Sequence, residues 1–397
     1  MDFRKSNLIT GWIVFAAASI VYLLTIEPTT SFWDCGEFIT TAYKLQVGHP
    51  PGAPFFMLLG RLFSAFVPVD MVAGTINVLS AMSSSFTILF LFWTITHFAK
   101  KMAETGDAVL DKGKTIAVLA AGVAGAMAYT FSDSFWFSAV EGEVYAMSSL
   151  FTAAVFWAIV RWETLSDGRS EIRWIILIAY LMGLSIGVHL LNLLAIPAIC
   201  FVFYFKSYKP TTKGFITTGL VSLLILGVIQ SGIIPGVVSV AGKFELLFVN
   251  DWGLPFNTGV IFYAILVIAL LAFGLYYTQK NGHHVANTAI LAVTVILLGY
   301  STFAVIVIRS SANPPLDENN PENVFTLLSY LNREQYGERP LLYGQFFNSP
   351  ADAQKPRTDG QPLYAKSWLA VNDRGRTVRW FSERWPAEKF ISESTEE

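Results

Sequence analysis

The chain has 397 residues, of which 53% are hydrophobic, 15% aromatic and only 14% charged, whereas about a quarter of an average soluble domain is charged. This composition excludes an ordinary water-soluble globular protein and indicates a polytopic membrane protein. The formal net charge of -2 provides no basic excess for collecting phosphates, so the sequence argues against a nucleic-acid-binding protein.

Apolar runs long enough to cross the hydrocarbon core, which takes about 20 helical residues, recur from the N-terminus to Ile308. The first run follows a basic segment and has no small-residue cleavage site after it, so we interpret it as an uncleaved span. The fifth and sixth spans share one apolar stretch with His189 and Asn192 near its middle, for which a tight hairpin is the preferred interpretation. The nine predicted spans are residues 8–26, 71–98, 115–131, 144–160, 174–187, 190–205, 215–240, 259–279 and 287–308.

Basic residues in the connecting segments set the predicted orientation, because short loops rich in lysine and arginine stay cytoplasmic. With the N-terminus inside, 13 such residues fall on the cytoplasmic side and three on the outer side before the C-terminal segment. This predicts an inner (plasma) membrane protein whose active site and C-terminus are extracytoplasmic. The inner set is Arg4, Lys5, Lys100, Lys101, Lys112, Lys114, Arg161, Arg169, Arg173, Lys206, Lys209, Lys213 and Lys280, and the outer set is Lys44, Arg61 and Lys243.

The first outer loop, residues 27–70, contains the strongest candidates for chemistry. In its sequence EPTTSFWDCGEFITTAYKLQVGHPPGAP, a helix over residues 32–45 puts Asp34 and Glu37 on one face. A carboxylate shielded from bulk water can activate a hydroxyl nucleophile while its neighbour tunes it, and a solvated surface helix is the alternative. Residues 53–66 are too short for a span and contain Arg61, which predicts an interfacial or re-entrant helix.

The same loop continues into a turn that the sequence predicts to be rigid. Pro50 and Pro51 restrict the backbone, and Gly52 permits a conformation closed to other residues. His49 stands at the entrance of this turn and is a candidate ligand for a lipid-linked phosphate. A structural histidine bonded to a backbone carbonyl is the alternative.

Further candidates come from the second outer loop and from the predicted hairpin. The sequence FSDSFWFSAVEGEVYAM offers Glu141, Glu143 and Tyr145 for binding a sugar, although aromatic residues also suit the membrane interface. We expect one glutamate to face the active site and the other to face solvent. His189 and Asn192 fall on the same outer side, where costly polar groups either line a cavity or cap the hairpin turn.

The C-terminal segment, residues 309–397, differs from the transmembrane domain over residues 1–308. It is polar and rich in proline and asparagine at first and then contains scattered aromatic residues, which indicates a small extracytoplasmic module with a modest core. The chain ends abruptly in SESTEE, which is compatible with truncation of a longer native protein. The sequence has no phosphate-cradling glycine loop, no Cys/His metal spacing and no nucleophile elbow.

The run TTSFWDCGEFITTAYKLQVGHPPGAPFF, followed at a distance by AVEGEVYAM, resembles the signature of a polytopic membrane family of Bacteroidota and related bacteria. Animal members of this family are endoplasmic-reticulum protein O-mannosyltransferases. The resemblance implies an all-α GT-C fold with a large first outer loop that bears an acidic catalytic residue, and a polyprenyl- or dolichyl-phosphate sugar donor. The family residues carry over to Asp34, Gly36, Glu37, His49, Pro50, Pro51, Gly52, Glu141, Glu143 and Tyr145.

These observations predict an inverting glycosyltransferase that moves a monosaccharide, mannose or another, from a lipid-linked donor to Ser/Thr hydroxyls of exported proteins. Asp34 is expected to deprotonate the hydroxyl and Glu37 to orient Asp34. The phosphate is assigned to His49 and Arg61, and the sugar hydroxyls to one of the glutamates in the second loop. No organic cofactor is expected, and a requirement for a divalent metal stays open.

Two alternatives from other classes accompany this prediction. A transporter or flippase for a lipid-linked or polar solute would use His189 and Asn192 as markers of its pathway, although the sequence shows no inverted repeat. A non-catalytic membrane scaffold would use its outer segment to recruit a partner. In the scaffold, Asp34→Asn would be harmless.

Overall fold

The computed structural model describes residues 2–104, 110–166, 168–337, 348, 350, 359–371, 377–378 and 387–396. Among these residues, eight helical segments are long and apolar enough to cross a membrane, in agreement with a polytopic all-α membrane protein. These segments are Phe3–Leu24, Val69–Ala103, Lys112–Thr130, Val144–Glu163, Leu190–Ser207, Thr212–Asp251, Thr258–Lys280 and His284–Ser310.

Most of these segments are single α-helices, and some join an α-helix to a 3-10 or π turn. The α-helices are α1 Phe3–Leu24, α2 Cys35–Lys44, α3 Pro54–Ser64, α4 Val72–Ala103, α5 Lys112–Thr130, α6 Asp133–Ala139, α7 Val144–Glu163, α8 Gly168–Ile186, α9 Ile196–Ser207, α10 Thr212–Gly227, α11 Ile234–Leu246, α12 Thr258–Lys280, α13 His284–Tyr300, α14 Ala304–Ser310 and α15 Val324–Asn332. The 3-10 helices are Val69–Met71, Leu190–Ala195, Ser301–Phe303 and Glu334–Tyr336, and the π turns are Val228–Ile233 and Leu247–Asp251.

The structure has a helix at all nine predicted span positions. Eight of these helices belong to the membrane-crossing segments named above, and α8 does not. The first turns of α8 contain Arg169, Glu171 and Arg173, which make that helix less apolar than its neighbours. It nevertheless packs closely along α13, because a Cβ at Gly183 would lie 2.5 Å from the carbonyl oxygen of Ile296. The predicted hairpin after α8 is confirmed, since the chain turns there into the 3-10 helix Leu190–Ala195.

The two ends of the bundle differ in chemistry. At one end, which we call the basic end, Lys101 pairs with Glu163 at 2.5 Å and Lys206 pairs with Glu171 at 2.8 Å. The 13 basic residues predicted to be cytoplasmic belong to the segments at this end. The opposite end, which we call the acidic end, carries the first loop, α6, the hairpin after α8 and the start of the C-terminal segment.

The C-terminal segment packs against the first loop before it forms a sheet. Val47 is the centre of this contact, because its amide donates to the Leu316 carbonyl at 3.0 Å and its own carbonyl accepts from the Glu318 amide at 3.1 Å. Helix α15 follows and begins with a capping box at Asn323. Beyond it, strands β1 Asp359–Val371, β2 Thr377–Val378 and β3 Ala387–Glu396 form an antiparallel sheet in the order β2-β1-β3.

Candidate active site

Helix α2 carries the acidic pair of the first loop. Asp34 is the residue just before its first turn and Glu37 lies within that turn, so the two carboxyl groups share one face. The residue before them, Trp33, has a left-handed backbone with a φ of 62° and is 89% exposed. The helix predicted over residues 32–45 is therefore confirmed apart from its ends. The expectation that Asp34 is shielded from bulk water is wrong, because this residue precedes the helix at the edge of the loop and is exposed.

Glu37 is locked to His49 by two hydrogen bonds. Its Oε1 accepts from the His49 backbone amide at 2.6 Å and lies 2.9 Å from Nδ1 of the His49 ring. Gly48 makes this approach possible, because a Cβ at that position would collide with Oε1 of Glu37. Burial raises the pKa of Glu37, but the hydrogen bonds and the charge of His49 outweigh it and the net pKa is lowered. The same bond raises the pKa of His49 despite its burial.

Asp34, Glu37 and His49 also have the donor types that bind metal ions, and their ligand atoms lie within 4.8 Å of one another. The Glu37 oxygen and the His49 ring nitrogen already satisfy each other in this arrangement. The three side chains therefore form an oriented carboxylate pair that also has the donor types for a divalent cation.

Glu141 and Glu143 are both buried, with exposures of 5% and 6%. The expectation that one of them faces solvent is wrong, because Gly142 packs into the bundle and draws both neighbours inward. A Cβ at Gly142 would lie 2.9 Å from Oδ1 of Asn77 and 3.0 Å from Ile39. The Oε2 atoms of both glutamates have no hydrogen-bond partner among the residues that the structure describes.

The carboxyl group of Asp34 lies close enough to these buried glutamates for its charge to act on Glu143. Burial first, and then the charges of Asp34 and Glu141, raise the pKa of Glu143 to about 7. The buried thiol of Cys35 lies among the same groups, and burial together with Glu141 and Glu143 raises its pKa. Near neutral pH, Glu143 is therefore a mixture of the protonated and the ionised form.

Tyr145 and His189 form the opposite side of the acidic cluster. Their rings meet edge to face with centroids 5.3 Å apart, and Tyr145 is 48% exposed. Nδ1 of His189 accepts a hydrogen bond from the Leu191 amide at 3.1 Å. Burial and the positive charge of Arg333 lower the pKa of His189, so its ring is neutral near pH 7.

Two predicted substrate-binding residues have structural partners instead. Arg61 donates to the Tyr43 carbonyl at 2.8 Å and lies over the Tyr43 ring. Asn192 is fully buried and donates to Ser185 Oγ at 2.9 Å. The structure thus brings Asp34, Glu37, His49, Glu141, Glu143, Tyr145 and His189 to the acidic end as one site and engages Arg61 and Asn192 with other groups.

The rigid turn of the first loop is present and is held by the C-terminal segment. The Pro50–Pro51 peptide bond is cis, and Gly52 has a φ of 77° with no room for a Cβ, which would lie 2.6 Å from the Tyr330 hydroxyl. That hydroxyl donates to the Gly48 carbonyl at 2.6 Å. The turn predicted from the prolines and the glycine is therefore confirmed, with Tyr330 as an anchor that no pattern in the sequence indicated.

Gly36 and Asn77 complete the support of the loop. A Cβ at Gly36 would lie 3.2 Å from the Thr30 methyl group, so this glycine lets the loop fold tightly over α2. Nδ2 of Asn77, on α4, donates to the carbonyls of Glu27 at 2.6 Å and Thr29 at 2.8 Å. An asparagine inside an apolar run is a signal that could have identified Asn77 from the sequence.

A largely apolar cavity lies between the long helices of the bundle. It measures about 750 Å³, and its largely apolar walls come from α4, α5, α7 and the segment after the hairpin. A smaller cavity of about 260 Å³ shares Tyr129 and Ser149 with the larger one and has Tyr145 in its wall. The two cavities adjoin, and Tyr145 is the residue of the candidate site that the smaller one reaches.

Comparison with known proteins finds similarity in the part of the chain that builds this site. Residues 34–212 match the model of the protein O-mannosyl-transferase TMEM260 N-terminal domain. The chain is 29% identical over 168 residues to protein O-mannosyl-transferase tmem260 of Dictyostelium discoideum, a match that covers 41% of this chain and 18% of that protein. It is 30% identical over 183 residues to protein O-mannosyl-transferase TMEM260 of Mus musculus, covering 46% of this chain and 24% of that protein.

The matched region therefore spans less than a quarter of each of these relatives. No solved structure matches the chain. All nine predicted catalytic and substrate-binding residues lie inside the matched region, whereas Tyr330 lies outside it. The loops and helices that assemble the acidic cluster are thus the part of this chain that is similar to TMEM260-type protein O-mannosyl-transferases.

Proposed function

We propose that the chain is a membrane glycosyltransferase that transfers mannose, or a closely related monosaccharide, from a polyprenyl-phosphate donor to a Ser or Thr hydroxyl. The observation that carries this proposal is the cluster of Asp34, Glu37 and His49, whose polar atoms lie within 4.8 Å of one another, with the buried Glu143 close enough to feel the charge of Asp34. The similarity of residues 34–212 to a protein O-mannosyl-transferase domain supports the reaction class.

Asp34 is the base in the proposed reaction. The acceptor hydroxyl gives its proton to the Asp34 carboxylate while its oxygen attacks the anomeric carbon. The bond between that carbon and the phosphate oxygen breaks, and the lipid phosphate leaves with the electron pair. Attack from the face opposite the leaving group inverts the anomeric configuration. A phosphate leaves readily, so strong acid assistance is less necessary than in glycoside hydrolysis.

The neighbouring acids have supporting roles that follow from their surroundings. Glu37 is fixed by His49, which lowers its pKa and keeps it negatively charged beside Asp34. Glu143 exchanges its proton near neutral pH and has an unpartnered buried oxygen, so it can either donate to or accept from a sugar hydroxyl.

The lipid part of the donor belongs in the cavity between α4, α5 and α7. Its volume of about 750 Å³ and its apolar lining, which includes Leu91, Ile95 and Phe156, suit an isoprenoid chain rather than a sugar. The smaller cavity beneath Tyr145 then leads the head of the donor toward the acids. Under the positive-inside rule this end of the bundle is extracytoplasmic, where exported acceptor proteins are available.

The proposal is tested by transfer from a polyprenyl-phosphate mannose to a Ser/Thr peptide by the full chain in lipid nanodiscs. We expect Asp34→Asn to lower the transfer rate by about 10²- to 10⁴-fold, the usual contribution of a general base, with thermal stability retained. Asp70→Asn is the matched control, because Asp70 is an exposed acid of the same outer loop. Equal rates for wild type and Asp34→Asn, or no transfer by wild type, would count against the proposal.

A further inference from the structure

Helix α3 and the turn after it present exposed apolar side chains at the acidic end of the bundle. Helix α3 has 11 residues, about 16 Å at 1.5 Å per residue, whereas the hydrocarbon core is about 30 Å thick. The helix is therefore too short to cross the membrane. We call the exposed large side chains of this stretch the apolar rim, which consists of Leu62, Phe63, Phe66, Val69 and Met71, with Phe66 the most exposed at 81%.

The other face of α3 packs against its neighbours, which turns the apolar rim outward. Phe56 and Met57 on that face are buried, and a Cβ at Gly60 would lie 2.7 Å from the Cβ of Ala42 on α2. The chain runs from the rim directly into α4, which belongs to a membrane-crossing segment, so the rim stands where the bilayer surface meets the outer loop. Apolar side chains at this level are stabilised by contact with lipid.

Two positive charges stand beside the apolar rim on the side of α2. Nζ of Lys44 lies 4.4 Å from the centre of the Tyr43 ring, and the guanidinium carbon of Arg61 lies 5.5 Å from the same centre. Arg61 directly precedes Leu62 of the rim, and one of its N–H groups donates to the Tyr43 carbonyl at 2.8 Å. Within the described ranges, neither cation forms an ion pair with a carboxylate, including that of Asp70, the one acid of residues 54–71. Because like charges around one ring repel each other, a shared anion stabilises the pair.

We infer that the apolar rim, Lys44 and Arg61 form a docking surface for anionic phospholipids of the leaflet at the acidic end. The acyl chains contact the rim, and the headgroup phosphate accepts hydrogen bonds from Lys44 and from the guanidinium of Arg61. Since Gly60 holds α3 tightly against α2, a lipid bound here fixes the height of α2, and with it Asp34, relative to the membrane. This binding requires no sugar transfer, so it stands apart from the proposed function.

Photocrosslinking in lipid nanodiscs tests the pair of cations. The full chain is placed in nanodiscs of phosphatidylcholine with a trace of phosphatidylglycerol that bears a photoreactive group on its headgroup, and adducts on residues 43–66 are mapped by mass spectrometry. We expect Lys44→Gln to reduce this adduct about fivefold, the usual contribution of one cation at an anionic membrane surface, and Lys44→Arg to preserve it. Lys243→Gln, which removes an exposed cation elsewhere on the predicted outer side, should leave the adduct at the wild-type level.

The same adduct distinguishes the possible occupants of the surface. An equal adduct in wild type and Lys44→Gln, or equal labelling by a photoreactive phosphatidylcholine, would overturn the site for an anionic headgroup. Displacement of the adduct by unlabelled phosphatidylglycerol would support it. Displacement by a polyprenyl phosphate, at a concentration where phosphatidylglycerol has no effect, would assign the cations to the lipid donor and would also overturn the inference.

A spin label at Phe66 tests the apolar rim. Phe66→Cys and the control Gln335→Cys, at an exposed position after α15, are labelled in a chain that carries Cys200→Ala, while Cys35 is buried and retained. In nanodiscs the label at Phe66 should collide more often with oxygen, which concentrates in lipid, than with a water-soluble nickel chelate, and the label at Gln335 should show the reverse. Equal access of the nickel chelate to both labels would place the rim in water and overturn the docking surface.

Discussion

At Glu143, burial and the negative charges of the neighbouring carboxyl groups act together on one side chain and raise its pKa. Its pKa in the folded protein is about 7, above the ordinary value of 4.5. The folded protein favours the protonated form of this carboxyl group. The resulting stabilisation is complete when the pH is below 4.5 and is lost as the pH rises through about 7. The free energy of unfolding should therefore fall by on the order of 3 kcal/mol between pH 4.5 and pH 8 because of this group.

Glu143→Gln removes this dependence, because an amide does not ionise. We expect the variant to be more stable than wild type at pH 8 and to show a flatter change of melting temperature between pH 5 and pH 9. Thermal unfolding in detergent at a series of pH values measures this. Asp70→Asn should retain the wild-type slope, and a Glu143→Gln slope equal to that of wild type would contradict the pKa assignment.

At the residue scale, the spacing of residues in the sequence predicted the part of the site that lies on a single helix. Asp34 and Glu37 are three positions apart on α2, so their shared face follows from helical periodicity. The pair Glu141 and Glu143 was harder, since alternation along an irregular loop cannot reveal that Gly142 packs inward. Tyr330 could not be predicted at all, because only the folded C-terminal segment brings it to the loop.

At the element scale, the contact between α8 and α13 requires glycine at the point where the two backbones meet, because a side chain has no room there. Gly183→Ala would place a methyl group 2.5 Å from the Ile296 carbonyl oxygen, which is backbone and cannot rotate away. We expect a loss of roughly 1–3 kcal/mol in the free energy of unfolding, as for other overpacked sites. Thermal unfolding in detergent measures the loss.

Gly227→Ala is the control for this prediction. Gly227 has helical dihedral angles and nothing within 4 Å of an added Cβ, so alanine should stabilise its helix by about 0.5–1 kcal/mol. A Gly183→Ala variant as stable as Gly227→Ala would show that the two helices are farther apart than described here.

The helices themselves were largely predictable from the length of the apolar runs. The short helix over residues 53–66 was recognised because it is too short to span, and it appears as Pro54–Ser64. The span predicted over residues 215–240 is longer in the structure, Thr212–Asp251, because two π turns let the helix continue past its apolar core. The strands of the C-terminal segment were not predicted, since their residues lack a clear apolar alternation.

At the scale of the whole molecule, the cavity between α4, α5 and α7 should determine how long a lipid the protein accepts. Ala153→Trp places a large side chain in its wall. We expect the KM for a long-chain polyprenyl-phosphate mannose to rise at least tenfold, with little change for a short-chain analogue that does not reach this depth. Leu224→Trp, on an exposed face of α10, is the control. An equal effect on both donors would contradict a lipid-binding role for the cavity.

The orientation of the bundle is a second prediction at this scale. The basic end is expected to be cytoplasmic and the acidic end extracytoplasmic, because of the uneven distribution of lysine and arginine. Cysteines introduced at Ser311 and Lys209, both exposed and at opposite ends, report this with a membrane-impermeant thiol reagent applied to intact cells. Ser311→Cys should be labelled and Lys209→Cys should react only after the membrane is permeabilised. The reverse pattern would place the acids inside.

The hydrogen bond from Tyr330 to Gly48 joins residues that are 282 positions apart in the chain. A ribosome adds about 5–20 residues per second, so roughly 15 to 60 seconds separate the synthesis of the two partners. During that interval the turn has been synthesised but lacks the hydrogen bond from Tyr330. The complete site therefore exists only in a chain that has been synthesised as far as Tyr330, so this loop matures well after its own synthesis.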